Sequence, residues 1–169
     1  MRPLTEQVIL ITGATDGLGK AVAMHLARAR ATLLLHGRDE VRGQHTLEEI
    51  RTQTRNTRLQ WYRADFSSLA QVRALADRLT GEQEHIDVLV NNAGIGTTLP
   101  GGGKRQESED GYELRFAVNY LAPFLLTRRL VPALSTLPRL DRLPLTLVTS
   151  CSHAAMMESR RIARANWRS

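Results

Sequence analysis

The stretch that decides the fold is Thr12-Gly-Ala-Thr-Asp-Gly-Leu-Gly19. It follows the run Val8-Ile-Leu-Ile11, which has no polar alternation. Such a run is what a strand covered on both faces of a parallel sheet requires. Behind the glycines the pattern is helical, from about Gly17 to Arg30. A glycine-rich turn between a buried strand and a helix meets three needs: the chain reverses tightly, the backbone approaches a pyrophosphate, and the helix packs close to the strand. The helix N-terminus adds unpaired N–H groups and a partial positive charge that suit phosphate. Gly13, Asp16, Gly17, Leu18 and Gly19 are expected to form this cradle, with Thr12 and Thr15 adding hydroxyl donors. Glycine spacing alone would equally fit an ordinary βα turn; the strand before and the helix after supply the context that the phosphate-binding reading needs.

Outward from the turn, apolar runs alternate with longer helical patterns. A second strand is expected at Ala31–His36 and a polar helix at Asp39–Thr54. A third strand spans Leu59–Ala64, then a helix spans Leu69–Leu79, capped by Ser67 or Ser68. A fourth strand spans Ile86–Val90, an irregular stretch runs from Gly94 to Ser108, and a long helix covers Gly111–Leu134, with Pro123 placed to bend it. Phe116, Leu121, Phe124 and Leu125 form the apolar side of that helix. After Pro138 and Pro144 a fifth strand reads Leu145–Thr149, and Met156–Trp167 reads as a short basic helix. The alternation is that of βαβ units and a parallel sheet, an α/β fold.

The 169 residues, 42% hydrophobic and 24% charged, suit one globular domain. No run approaches 18 apolar residues, so no membrane span is expected, and Met1–Gln7 lacks the apolar core of a signal peptide. The single cysteine, Cys151, excludes an internal disulfide and points to a reducing, cytoplasmic location. The net charge is +6, yet the only lysines are Lys20 and Lys104 and no block of five like charges occurs. Solvated helix faces account for that balance, so no nucleic-acid partner is expected, and no cluster suggests a metal.

Two further motifs join the glycine turn, whose spacing is G-x-x-x-G-x-G. They are Asn91-Asn-Ala-Gly94, directly after strand four, and Phe116-Ala-Val-Asn-Tyr-Leu-Ala-Pro-Phe-Leu-Leu-Thr127 in the long helix. In this order the three resemble the short-chain dehydrogenase/reductase family, and Leu34-Leu-His-Gly-Arg-Asp39 resembles its retinol dehydrogenase-type members. The resemblance covers about Gln7 to Thr149. It implies a Rossmann-type doubly wound sheet in the order 3-2-1-4-5, over residues 1–150, lacking the last two strands of the family and followed by a divergent basic tail at 151–169. It implies that Asp65, with Phe66 beside it, accepts a hydrogen bond from the adenine amine, unless Asp65 is a plain turn aspartate. Asn91, Ala93 and Gly94 would line the nicotinamide ribose and brace the central strands. The backbone of Asn119 would help hold a water in a proton relay. Where the family places a ribose-binding acid stands Gly37. Arg38 follows, with donors for a 2′-phosphate, so the expected cofactor is NADP, with NAD as the alternative. Asp39 reads as a helix cap, the other role being a displaced ribose acid.

The pattern then breaks. The family's hydride transfer uses a serine after strand five and a later Tyr-x-x-x-Lys, whose lysine lowers the pKa of the tyrosine. Ser150 or Ser152 matches the serine, or Cys151 in another register; His153 reads as a surface histidine. No tyrosine follows position 120 and no lysine follows position 104, and residues 156–169 hold four arginines against one glutamate. The expectation is a family oxidoreductase for a small lipophilic alcohol or carbonyl, with little turnover in this form. The reading from another class is a non-catalytic dinucleotide-binding or interaction fragment. Exposed apolar surface on the long helix makes self-association or a homo-oligomer the expected partner state.

Overall fold

The computed structural model describes residues 3–96 and 105–134, and the backbone of 146–149. Ser150, Cys151, Ser152, His153 and the basic tail lie outside the described residues. Five strands pair in parallel in the order β3-β2-β1-β4-β5: β1 Val8–Thr12, β2 Thr32–Gly37, β3 Leu59–Arg63, β4 Val88–Asn91 and β5 Thr146–Thr149. The register runs Val8↔Thr32 to Thr12↔His36 on one side of β1 and Ile9↔Val88 to Ile11↔Val90 on the other.

Successive strand residues point to opposite faces, and here both faces are apolar. Leu10, Leu34, Tyr62 and Leu89 pack with Val72, Leu75 and Leu79 of α3 (Leu69–Glu82) and with Leu126 and Leu130 of the long helix. Ile9, Ile11, Leu33, Leu35 and Trp61 pack with Ala23 and Ala27 of α1 (Gly17–Arg28) and with Leu47 and Ile50 of α2 (Glu40–Thr54). This two-sided cover is why the strands carry continuous apolar runs.

The expected elements recur with ends moved by one to three residues, and three local differences have physical causes. Ser68 occupies the N-cap of α3 but its hydroxyl makes no capping bond; the amide of Leu69 donates to Asp110 Oδ2 at 2.8 Å instead. The long helix starts later than Gly111: Glu113 caps it by accepting from Phe116 N at 2.8 Å. After α4 (Leu114–Phe116) a π turn intervenes at Ala117–Leu121, closed by Ala122 N–H donating to Ala117 O, and α5 (Ala122–Leu134) follows. The wider turn carries the chain into Pro123, which has no N–H to give. It also shifts the phase of the helix. Phe116, Tyr120 and Phe124 form the exposed stripe, their rings stacked at 5.3 and 6.4 Å, whereas Leu121 and Leu125 are half-buried.

Candidate functional site

The C-terminal ends of β1, β2, β3 and β4 open onto one cleft of about 1210 Å³. This is the crevice where ligands sit in open α/β sheets. Its floor is the glycine turn. A Cβ on Gly13 would lie 2.7 Å from Ala93 Cα, and one on Gly19 would lie 2.3 Å from Gly13 O, so both glycines are required by packing. Gly17 differs: its φ is +52° and a Cβ there would meet nothing within 4 Å, so it faces open space at the start of α1. Asp16 caps that helix, accepting from Gly17 N at 2.7 Å, and this bond, then Arg42, hold its carboxyl below the usual range.

The turn is stapled to β4. Asn92 Nδ2 donates to Thr12 O at 2.9 Å and to Gly13 O at 3.0 Å. The Thr12 hydroxyl donates to Val90 O at 3.3 Å and accepts from the amides of Asn92 and Ala93 at 2.9 and 3.0 Å. Thr12 is fully buried and does not line the cleft, so its hydroxyl serves the staple and not a ligand. Thr15, Gly17 and Leu18 do line the cleft.

The β2 end explains a missing acid. A Cβ on Gly37 would stand 2.7 Å from Trp61 Cη2 and 3.1 Å from Thr15 Cγ2. Trp61 cannot swing away, because its ring already fills the space beside Gly43 and its Nε1 donates to Glu40 at 2.9 Å. Asp39 Oδ1 accepts from Arg42 N at 3.0 Å, so Asp39 is the cap of α2. Arg38 lines the cleft, and its carbonyl accepts from Arg63 Nε at 3.3 Å.

On the other side, Asp65 and Phe66 line the cleft. One oxygen of Asp65 accepts from Ser67 N at 2.8 Å, so the turn role is real; no hydrogen bond engages the second oxygen among the described residues. Phe66 stacks on His36 at 4.4 Å. His36 Nε2 donates to Ala64 O at 3.1 Å, and burial pushes its pKa down to about 4, so the ring is neutral. The loop before α4 forms the opposite lip with Gln106, Glu107 and Glu109.

Asn91 does not line the cleft. It shares a strand face with Leu89, and its Nδ2 donates to Thr127 Oγ1 at 3.1 Å, bracing β4 against α5. Asn92, Ala93 and Gly94 line the cleft in its place. The side chain of Asn119 clamps Ile95: Oδ1 accepts from Ile95 N at 2.8 Å and Nδ2 donates to Ile95 O at 3.0 Å. A Cβ on Gly94 would come within 3.3 Å of that Oδ1. The residues that sequence reasoning missed are Asn92, His36, Trp61 and the Glu107–Glu109 lip. Strand parity from Leu89 through Asn91 would have exposed the Asn92 role; nothing local marks the others.

A dinucleotide fits this chemistry. The cleft offers an open helix N-terminus, glycine backbone at its floor and an arginine where a ribose acid is sterically excluded. Among the described residues no group of three or more metal-ligating side chains occurs and no helix is long and apolar enough to cross a membrane.

The comparisons agree with this geometry. The short chain dehydrogenase family model matches residues 7–163, further than the span of Gln7 to Thr149 over which the three motifs carry the resemblance. Mouse retinol dehydrogenase 13 is 37% identical over 128 residues, 76% of this chain and 37% of that protein. Mouse polyprenol dehydrogenase is 39% identical over 132 residues, 78% of this chain and 38% of that protein. This chain thus spans less than half the length of the curated relatives it matches. Among solved structures, Pseudomonas aeruginosa RhlG in an NADP active-site complex superposes with a TM-score of 0.64 at 27% identity, over 79% of this chain and 51% of that one. A Shigella flexneri short chain dehydrogenase complexed with NADP gives 0.66 at 29% identity, over 80% and 56%. With its sheet order, its stapled glycine turn and a family match over most of its length, the chain belongs to the short-chain dehydrogenase family.

Proposed function

We propose that this chain binds NADP(H) in the cleft above β1, β2 and β4, as the cofactor-binding part of an oxidoreductase that interconverts a carbonyl and an alcohol. The observation that carries this reading is the junction of Gly37 and Arg38. Trp61 excludes an acid at position 37, which removes the usual partner of a 2′-hydroxyl, and the next residue brings a guanidinium to the cleft. Gly13, Gly17 and Leu18 hold the diphosphate against α1, Asp65 and Phe66 take the adenine, and Ala93 and Gly94 the nicotinamide ribose. The bound nicotinamide supplies or accepts hydride. Retinol and polyprenol dehydrogenases among the relatives are named for apolar alcohols, which supports a small lipophilic alcohol or carbonyl as substrate.

The second reading, a dinucleotide-binding protein with little or no turnover, is supported by the placement of Tyr62, Tyr112 and Tyr120, none of which lines the cleft. Thermal melting with and without NADPH tests binding. At a ligand concentration of 100 times Kd, linkage contributes about 2.7 kcal/mol and raises Tm by roughly 5–10 °C; no shift at millimolar NADPH refutes the site. NADPH oxidation over a panel of carbonyls separates the two readings.

A further inference from the structure

The turn that carries Asp65 and Phe66 hangs from three points. The first is local: Asp65 N donates to Gln71 Oε1 at 2.9 Å. The other two come from the loop before α4. Ser67 O accepts from Glu109 N at 3.0 Å, and Leu69 N donates to Asp110 Oδ2 at 2.8 Å. That loop is itself closed, since Leu114 N donates to Gln106 O and Ser108 N to Tyr112 O, each at 2.8 Å, around the buried Ser108. The hydroxyl of Ser68 makes no capping bond, so the carboxylate that serves the start of α3 is that of Asp110, where an anion suits the helix dipole. Asp65, Phe66 and Ser67 line one wall of the cleft, and Gln106, Glu107 and Glu109 the facing one. The clasp of Glu109 and Asp110 therefore joins the two walls.

We propose that Asp110 is a positioning residue for base recognition: with the neighbouring Glu109 amide it fixes the turn on which the second oxygen of Asp65 meets the 6-amine of a bound adenine. This inference rests on the reading of the cleft as a dinucleotide site with the adenine at Asp65. A hydrogen bond weakens steeply as its angle bends, whereas apolar contact of a base with Phe66 has no such directional demand. Loss of the clasp therefore removes discrimination at the 6-position before it removes binding. Asp110 itself does not line the cleft, so it acts through Leu69 and the turn and not on the ligand.

The test compares NADPH with its analogue in which hypoxanthine replaces adenine, so that the 6-amine, a donor, becomes a carbonyl, an acceptor. Dissociation constants are measured by titration calorimetry well below the melting temperature. The parent chain is expected to favour NADPH about tenfold, the low end for a charge-assisted hydrogen bond, and Asp65→Ala to lose that preference. Asp110→Ala is expected to lose most of it while NADPH still binds. Asp110→Asn keeps an oxygen for Leu69 N and is expected to restore it, since asparagine and aspartate cap helices about equally well. Arg73→Gly, at an exposed position inside α3, weakens the same helix about as much as a lost cap does, and is expected to leave the ratio at the parent value. A discriminating parent whose ratio survives in Asp110→Ala, or falls equally in Arg73→Gly, overturns the role of Asp110 and leaves the adenine reading standing. A parent that binds both dinucleotides alike, or neither, overturns both readings.

Discussion

Gly37→Asp is the substitution that would ordinarily be tried to turn an NADP site towards NAD, and here it is expected to fail for a steric reason. The new Cβ would sit 2.7 Å from Trp61 Cη2, well inside contact distance, with Thr15 Cγ2 at 3.1 Å on its other flank. Trp61 is 8% exposed, pinned through Nε1 to Glu40 and wedged against Gly43, where a Cβ would overlap the indole at 2.0 Å. With no room for the ring to retreat, strain of the overpacking kind costs about 1–3 kcal/mol. The carboxylate also enters a buried position, which adds to the cost. For a chain of this size each kcal/mol lowers Tm by roughly 2–4 °C, so a loss of about 5–10 °C is expected. Trp61→Phe withdraws the ring atoms nearest Gly37. In urea titrations the double variant Gly37→Asp/Trp61→Phe is therefore expected to be more stable than the sum of the single losses, with a coupling of about 1–2 kcal/mol. If Gly37→Asp melts like the parent, or if the two losses simply add, the steric account of the missing acid is wrong.

Three other outcomes follow from the same contacts. His36 is neutral when folded, with a pKa of about 4, but takes up a proton below about pH 6.5 when unfolded, so its contribution is complete above that pH and is lost as pH falls to about 4, a total of about 3 kcal/mol; urea midpoints across this window should flatten in His36→Phe, and an unchanged slope would place the proton elsewhere. Thr12→Val keeps shape but strips the acceptor from the Asn92 and Ala93 amides, and a loss of roughly 2–4 kcal/mol in urea is expected, with NADPH affinity falling alongside; near-parent stability would show that the staple is dispensable. The Phe116–Tyr120–Phe124 stripe is exposed on all three rings, so Phe124→Glu is expected to reduce self-association in sedimentation runs while leaving Tm within about 1 °C.

The sheet was legible because its physics is local: each strand is a short apolar run, and the order of elements leaves few topologies for a parallel sheet. The glycine turn was legible as a motif, but the division of labour within it was not. Gly13 and Gly19 answer to backbone atoms, those of Ala93 for Gly13 and those of Gly13 for Gly19, while Gly17 alone faces open space. The Gly13 contact reaches about 80 residues along the sequence, as do the bonds of Thr12 to β4. The cap of α3 by Asp110 spans 41 residues, so the neighbouring serines drew the expectation instead. Of the four residues expected on the apolar side of the long helix, Phe116 and Phe124 are exposed, whereas Leu121 and Leu125 are half-buried, in a helix whose phase the π turn shifts. Gly37 could be read as a vacancy in the sequence, but only Trp61, on the adjacent strand, shows why nothing larger fits.

The three tyrosines of this chain stand outside the cleft, each committed to another place in the fold. A proton donor for hydride transfer must stand in the cleft with its pKa drawn down towards neutrality by a nearby cation. Tyr62 lies on β3 in the core shared with α3, its hydroxyl hydrogen-bonded to Gln60, Glu82 and Gln83, and burial together with Glu82 pushes its pKa up to about 12. Arg78 stacks on its ring face at 4.7 Å but pairs its charge with Glu82, so it does not reverse that shift. Tyr112 and Tyr120 are exposed on the loop and helix, and neither lines the cleft. The contacts proposed for diphosphate, adenine and ribose, by contrast, all come from residues 13–94, in a cleft held by the Thr12–Asn92 staple and the Asn119–Ile95 clamp. The proposed dinucleotide contacts thus draw only on the C-terminal ends of β1–β4, and none of them calls on a tyrosine.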